Sequence, residues 1–153
     1  MRARCRPKQR LKTLILYAAT SNPGKLAEFS AAARGTAIAV QPLPGVGSLP
    51  PPAEDGATFV ENAQKKAAHY SRLAGGLVFA DDSGLEVEAL GGAPGVRSAR
   101  YADPGATDAR NNQKLLAELG PTPAGQRKAR FVSVIALAQG GRLLGTFEGS
   151  VEG

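Results

Sequence analysis

The stretch Phe79-Ala80-Asp81-Asp82-Ser83-Gly84-Leu85 places two adjacent carboxylates and a hydroxyl directly after an apolar run. Residues 77–80 are short, apolar and preceded by two glycines, which predicts a buried strand that ends just before Asp81. In open α/β sheets, ligands bind at the carboxyl ends of the strands. Two neighbouring ionised carboxylates repel each other unless a cation or hydrogen-bond donors lie between them. The stretch therefore indicates a divalent-metal site, but Asp and Ser before Gly also form turns and caps, and the pair alone does not decide.

Outward from this stretch, the chain alternates predicted strands and helices, which indicates an α/β fold. Pro23 and the Thr58-x-x-Glu61 capping box mark two helix starts, and Gly140-Gly141 predicts a hairpin. Residues 41–56 contain five prolines and are expected to form a long loop of the kind that is often functional. The predicted strands cover residues 14–18, 36–40, 77–80, 86–90, 131–138 and 142–147, and the predicted helices cover residues 23–33, 58–74 and 107–119.

Length and charge favour a single domain with a basic extension. The chain has 153 residues and a net charge of +6, and its one cysteine, Cys5, has no internal disulfide partner, which indicates a reducing, cytoplasmic environment. Residues 1–12 carry six basic residues and no acid, whereas residues 13–153 are formally neutral and form one predicted domain. We expect the extension to be solvated, so nucleic acid is not the expected partner. No run is long enough to span a membrane.

A second polar motif, Thr20-Ser21-Asn22-Pro23-Gly24-Lys25, lies between the first predicted strand and helix. Backbone N–H groups at a helix start, with hydroxyl, amide and ammonium donors beside them, suit a phosphate group. The motif is not a Walker P-loop, because it lacks the first glycine and the Ser or Thr after the lysine. Asn22-Pro23 alone would equally fit a simple helix cap. Together with Asp81 and Asp82, the motif favours a phosphate and metal site.

Four ordered motifs resemble the inosine triphosphate pyrophosphatases, also called XTP/dITP diphosphatases. They are Ala19-Thr20-Ser21-Asn22-Pro23-Gly24-Lys25, Thr58-Phe59-Val60-Glu61-Asn62-Ala63, Ala80-Asp81-Asp82-Ser83-Gly84-Leu85, and Leu90-Gly91-Gly92-Ala93-Pro94-Gly95-Val96 with Ser98-Ala99-Arg100-Tyr101. The resemblance implies a mixed twisted sheet flanked by helices, in an elongated two-lobed architecture with a central cleft. It also implies a cytoplasmic homodimer that hydrolyses ITP, dITP and XTP to the monophosphate and pyrophosphate with Mg²⁺.

The resemblance also implies roles for individual residues. Asp82 matches the family's proton acceptor and metal ligand, with Asp81 beside it as a second catalytic carboxylate, and Glu54 is the expected second metal ligand. Arg100 is either a substrate contact or part of a structural ion pair, Glu61 and Asn62 are either functional or only a capping pair and a surface amide, and His69 is read as a surface or groove residue. The residues expected to bind the purine nucleoside triphosphate are Thr20, Ser21, Asn22, Lys25, Lys66, Ser83 and Arg100.

The resemblance leaves other classes of function open. Family members carry a Gly-Phe-Gly-Tyr-Asp-Pro segment and a Ser-His-Arg segment after the position that matches Gly153, so we expect a fold that is incomplete at its C-terminal side, with weakened purine selectivity. A catalytically weak nucleotide-binding remnant is therefore the first alternative. A nucleic-acid binder that uses the basic extension is another alternative. A Maf-like pyrophosphatase ranks third, because those enzymes do not share the motifs that surround Asp82 and Pro94 in this chain.

Overall fold

The computed structural model describes residues 12–153. A five-stranded mixed sheet forms the centre of the fold. The strands are β1 (Leu14–Ala18), β2 (Ile38–Pro42), β3 (Leu77–Val87), β4 (Ala129–Gln139) and β5 (Arg142–Glu152), and the helices are α1 (Pro23–Ala32), α2 (Phe59–Leu73) and α3 (Asp108–Leu119). The strand order is β2-β1-β3-β4-β5, with β1 parallel to β2 and β3 and the remaining pairs antiparallel. The predicted α/β class, a mixed sheet flanked by helices, is confirmed.

The third strand is longer than the sequence predicts. It was expected to end at residue 80, yet it continues to Val87, because β4 pairs with it at every position from Val78 to Val87. The separate strand predicted over residues 86–90 is wrong, since Glu88–Leu90 forms a short 3-10 helix. The parallel pairing with β1 nevertheless ends at Phe79, so Asp81 and Asp82 lie just beyond the carboxyl end of β1.

The other helices and strands lie where the local sequence signals predict them, although some of their ends are shifted. Thr58 caps α2, because its side chain accepts from the Glu61 backbone N–H, and Thr107 caps α3 in the same way. Gly140 and Gly141 join β4 to β5 as expected, and β5 continues to Glu152, beyond its predicted end at residue 147. The second strand begins and ends two residues later than predicted, so the first two residues of the expected loop belong to β2.

The main core lies between α2 and strands β3 and β4. Small side chains dominate it, which allows the helix to approach the sheet closely. Its buried members are Phe59, Ala63, Ala67, Ala80, Val132, Val134, Ala136 and Ala138. On the opposite face of the sheet, Phe29 of α1 packs edge-on against Phe79 with 5.1 Å between ring centroids. Helices α2 and α1 therefore cover opposite faces of β3, the strand that carries the two aspartates.

Within residues 12–153, no helix has the length and hydropathy needed to cross a membrane. The predicted basic extension, including Cys5, lies outside the described residues except for Lys12. The single-domain assignment of residues 13–153 stays a prediction.

Candidate active site

A polar cleft of about 250 Å³ opens where β1 ends and α1 begins. Its polar wall comes from the β1–α1 loop, α1, the proline-rich loop (residues 43–58, between β2 and α2), α2 and β3. Its apolar wall comes from Val46, Pro51 and Pro52, which belong to the long loop that the sequence predicts, and from Tyr70 of α2. The residues that supply the polar wall are Thr20, Ser21, Lys25, Glu54, Lys66 and Asp81. The structure thus brings most of the predicted site residues to one place.

The start of α1 is built as a capped helix that delivers Lys25 to the cleft. Asn22 is its N-cap, and the Asn22 side-chain oxygen accepts from the backbone N–H groups of Gly24 (2.8 Å) and Lys25 (3.2 Å). Thr20 Oγ1 accepts from the Asn22 N–H at 3.1 Å. The capping role of Asn22 is therefore present, and the hydroxyls of the loop and the ammonium group of Lys25 are the groups left to meet an anion.

Asp81 and Asp82 point to opposite faces of β3, because successive side chains of a strand alternate. Asp81 lies on the α1 face, where Lys25 Nζ forms a salt bridge with it and also lies 3.4 Å from Ser83 Oγ. Asp82 lies on the α2 face and contacts Lys66 and Asn62. The two carboxylates therefore do not share one cation between them in this structure, and each is paired with a lysine of its own.

Lys66 joins Asp82 to Glu54 of the proline-rich loop. Its Nζ lies 2.6 Å from Glu54 Oε1 and 3.2 Å from Asp82 Oδ1. Burial alone would lower the pKa of Lys66, but the hydrogen bond to Glu54 and the charges of both carboxylates raise it above its ordinary value. Burial likewise acts to raise the pKa of Glu54, yet Lys66 and Arg100 outweigh it and lower that pKa. Lys66 and Glu54 are therefore both charged at neutral pH.

Arg100 holds the loop that carries Glu54. Its Nη1 lies 3.1 Å from Glu54 Oε2, and its Nη2 donates to the Glu54 backbone carbonyl at 2.9 Å. Of the two roles that the sequence left open for Arg100, the structure displays the ion pair. Arg100 is the last residue of the 3-10 segment Gly95–Arg100, so that segment positions a predicted metal ligand on the far side of the cleft.

Asn62 is a buried clamp between Asp82 and the loop that carries Glu54, and its reading as a surface amide is wrong. It is only 1% exposed. Its Oδ1 accepts from the Gly56 N–H at 2.9 Å, and its Nδ2 donates to Asp82 Oδ2 at 3.1 Å. The sequence carried a signal for this position, because residues 59, 63, 67 and 70 form the buried stripe of α2 and positions 62 and 66 fall on the same stripe.

We expect Asn62→Ala to destabilise the protein by about 1–3 kcal/mol, because it leaves the buried Gly56 N–H without its acceptor. The variant should also lose the pyrophosphatase activity that the sequence resemblance implies, since Asp82 and the Glu54 loop lose their common support. Urea unfolding and initial rates measure the two effects. Asn112→Ala, which changes an exposed amide of α3, is the matched control. Equal unfolding free energies for the two variants would contradict the clamp.

The remaining residues singled out from the sequence have structural contacts. Glu61 accepts from the Ala57 N–H at 2.7 Å as part of the α2 cap. His69 Nε2 lies 2.7 Å from the Pro50 carbonyl oxygen, so it ties α2 to the proline-rich loop, in keeping with its reading as a groove residue.

The donor set suits a magnesium ion that is shared with a substrate. Among residues 12–153 there is no group of three or more His, Cys, Asp or Glu side chains that could hold a metal ion. Mg²⁺, however, typically binds through one or two carboxylates together with substrate phosphates and water. Glu54 and Asp82 already converge on one cationic group, Lys66 Nζ. The residues present therefore fit the ion, and these two carboxylates could hold it.

The fold and the cleft define an α/β protein with lysines and carboxylates gathered at the carboxyl ends of its parallel strands. Residues 16–153 match the Ham1 family, and the chain belongs to that family. A dITP/XTP pyrophosphatase of Acidobacterium capsulatum is 47% identical over 149 residues, covering 92% of this chain and 72% of that protein. A dITP/XTP pyrophosphatase of Syntrophobacter fumaroxidans is 49% identical over 139 residues, covering 91% of this chain and 59% of that protein.

Solved structures show the same fold. A HAM1 protein from Coxiella burnetii superposes with a TM-score of 0.79 at 41% identity, over 92% of this chain and 72% of that one. The Ham1 protein of Staphylococcus aureus superposes with a TM-score of 0.77 at 37% identity, over 91% of this chain and 70% of that one. The chain thus spans between about three fifths and three quarters of the length of these relatives.

Proposed function

We propose that this chain hydrolyses the non-standard purine nucleoside triphosphates dITP, XTP and ITP to the monophosphate and pyrophosphate, with Mg²⁺ as cofactor. The observation that carries the proposal is the convergence of Lys66, Glu54 and Asp82 next to Lys25 at the end of β1. The names of the relatives, which are dITP/XTP pyrophosphatases, support the choice of substrate. Removal of such nucleotides would cleanse the nucleotide pool.

The residues divide into those that hold the triphosphate and those that act on water. Lys25 and Lys66 supply positive charge for the phosphates, and the hydroxyls of Thr20, Ser21 and Ser83 supply donors. Asp82 accepts the proton of the attacking water. When bound, Mg²⁺ supplies charge neutralisation for the phosphates and the departing pyrophosphate.

We expect pyrophosphate release from dITP, XTP and ITP in the presence of Mg²⁺, with much slower release from ATP and GTP. EDTA should abolish release, because the lysines alone do not neutralise the charge that develops on pyrophosphate. The test is a coupled pyrophosphate assay on the five nucleotides, with Mg²⁺ and with EDTA. Nucleotide binding without pyrophosphate release would instead support the alternative of a nucleotide-binding protein without turnover. Release that persists in EDTA would contradict the requirement for a metal ion.

A homodimer and a cytoplasmic location remain part of the proposal on the strength of the resemblance alone. Analytical ultracentrifugation distinguishes the dimer from a 15.7 kDa monomer.

A further inference from the structure

Every donor of the Lys66 ammonium group is already engaged. Beyond Glu54 Oε1 and Asp82 Oδ1, its Nζ lies 3.3 Å from the backbone carbonyl oxygen of Asp81. A lysine has three N–H donors and no acceptor, and here three protein oxygens surround it. Lys66 therefore has no free donor for a phosphate in this arrangement, although it is one of the predicted triphosphate ligands.

The Asp82 carboxylate is engaged on both of its oxygens. Lys66 Nζ lies 3.2 Å from Oδ1, and Asn62 Nδ2 donates to Oδ2 at 3.1 Å. The Lys66 and Asp82 side chains are only 16% and 13% exposed. A metal ion that binds Asp82 through Oδ1 therefore has to take the place of the Lys66 ammonium group.

We propose that Lys66 is an exchangeable internal cation, which neutralises Glu54 and Asp82 until a divalent cation takes over both carboxylates and frees the ammonium group for phosphate. This inference rests on the proposed function, because it assumes that metal and triphosphate share this cleft. It adds that the two ligands bind together. The metal ion takes the two carboxylates that Lys66 leaves, and the phosphate takes the Lys66 ammonium group that the metal ion displaces.

The physical reason is the cost of each ligand alone. A metal ion that binds alone must displace a partly buried ammonium group that then has no carboxylate partner. A phosphate that binds alone must draw Lys66 away from two carboxylates, which then repel each other. When both ligands bind, every charge has a partner of opposite sign. The coupling is reciprocal, so each ligand raises the affinity for the other by the same factor.

Lys66→Met should change the two affinities in opposite directions. We expect the affinity for Mn²⁺ alone, used as a paramagnetic substitute for Mg²⁺ and measured by electron paramagnetic resonance, to rise about tenfold or more, because one nearby unit charge has effects of at least this size. The affinity for pyrophosphate alone, measured by calorimetry in EDTA, should fall. A purely structural role for Lys66 would lower both affinities, so the opposite signs are diagnostic.

Lys65→Met is the matched control. Lys65 is the adjacent lysine of α2, is 47% exposed, and pairs with the exposed Asp55 at 2.8 Å. It loses the same charge at a neighbouring position, and it should leave both affinities within about twofold of the wild-type values, since exposed pairs contribute little. An equal rise in Mn²⁺ affinity in both variants would reduce the effect to net charge and overturn the inference.

A measurement on the wild-type chain covers the case in which Lys66→Met does not fold. An amine-reactive reagent followed by peptide mass spectrometry reports how available each lysine is. Mn²⁺ alone, added near its dissociation constant, should increase the labelling of Lys66 relative to that of Lys65. Mn²⁺ added together with pyrophosphate should also change this ratio. Unchanged Lys66 labelling with bound Mn²⁺ would overturn the inference.

The outcomes separate this inference from the proposed function. If the Mn²⁺ affinity of Lys66→Met is unchanged or lower while the wild-type chain releases pyrophosphate, the exchange is wrong and the enzyme stands. If the affinities shift in opposite directions but no triphosphate is hydrolysed, the exchange stands and the proposed hydrolysis fails.

Discussion

Asp82→Asn is expected to reduce the rate of pyrophosphate release by about 10²- to 10⁴-fold, the range that a positioned proton acceptor contributes. The amide has the size of the carboxylate but does not take a proton from water, and it is a poorer ligand for Mg²⁺. Its oxygen can still accept from Lys66 or from Asn62, which contact the Asp82 carboxylate in the wild-type chain. Initial rates with dITP and saturating Mg²⁺ measure the effect, and urea unfolding shows whether the variant is folded.

Asp55→Asn is the control for this prediction. Asp55 follows Glu54 in the chain, but its side chain is 70% exposed and contacts only the exposed Lys65 among the salt bridges of the described residues. The same chemical change should leave the rate unchanged there. A folded Asp82→Asn variant with the activity of Asp55→Asn would remove Asp82 from the reaction.

Gly84→Ala is expected to destabilise the protein by about 2 kcal/mol or more, because extra atoms in a packed site force neighbours to move. A Cβ at this position would lie 2.7 Å from the Gly95 backbone oxygen and would also collide with the Ser98 hydroxyl. That hydroxyl accepts from the Leu85 N–H at 2.9 Å and donates to the Gly95 carbonyl at 2.6 Å. Thermal and urea unfolding measure the loss.

The same substitution should also affect the cleft. Ser98 lies in the segment Gly95–Arg100, so a displaced segment moves Arg100 away from Glu54. Gly149→Ala is the control, since a Cβ there meets nothing within 4 Å. We expect it to change the free energy of unfolding by less than about 0.5 kcal/mol, as surface substitutions usually do. A Gly84→Ala variant as stable as Gly149→Ala would show that the segment does not pack closely on β3.

The elements that the sequence predicted correctly carry local signals. Pro23 in the first turn, the capping box at Thr58 and Glu61, and the glycine pair of the hairpin each specify backbone geometry through neighbouring residues. The end of β3 carries the opposite local signal. Asp, Asp, Ser and Gly favour a turn, but pairing with β4, which lies far along the chain, keeps them in a strand.

The same long-range pairing explains what was missed in the site. The sequence shows Asp81 and Asp82 as neighbours, and only the continued strand reveals that they serve opposite faces with separate lysines. The contact between Glu54 and Arg100 joins a loop to a 3-10 segment, and nothing in either stretch specifies it. The burial of Asn62 and the partial burial of Lys66, by contrast, could have been read from the helical period of α2.

Hydrolysis of dITP by the wild-type chain with Mg²⁺ in water labelled with oxygen-18 shows which phosphorus atom the water attacks. If water attacks the α-phosphorus, as we propose, the label enters the monophosphate and the pyrophosphate stays unlabelled. Label in the pyrophosphate, or release of inorganic phosphate in its place, would exclude the proposed reaction.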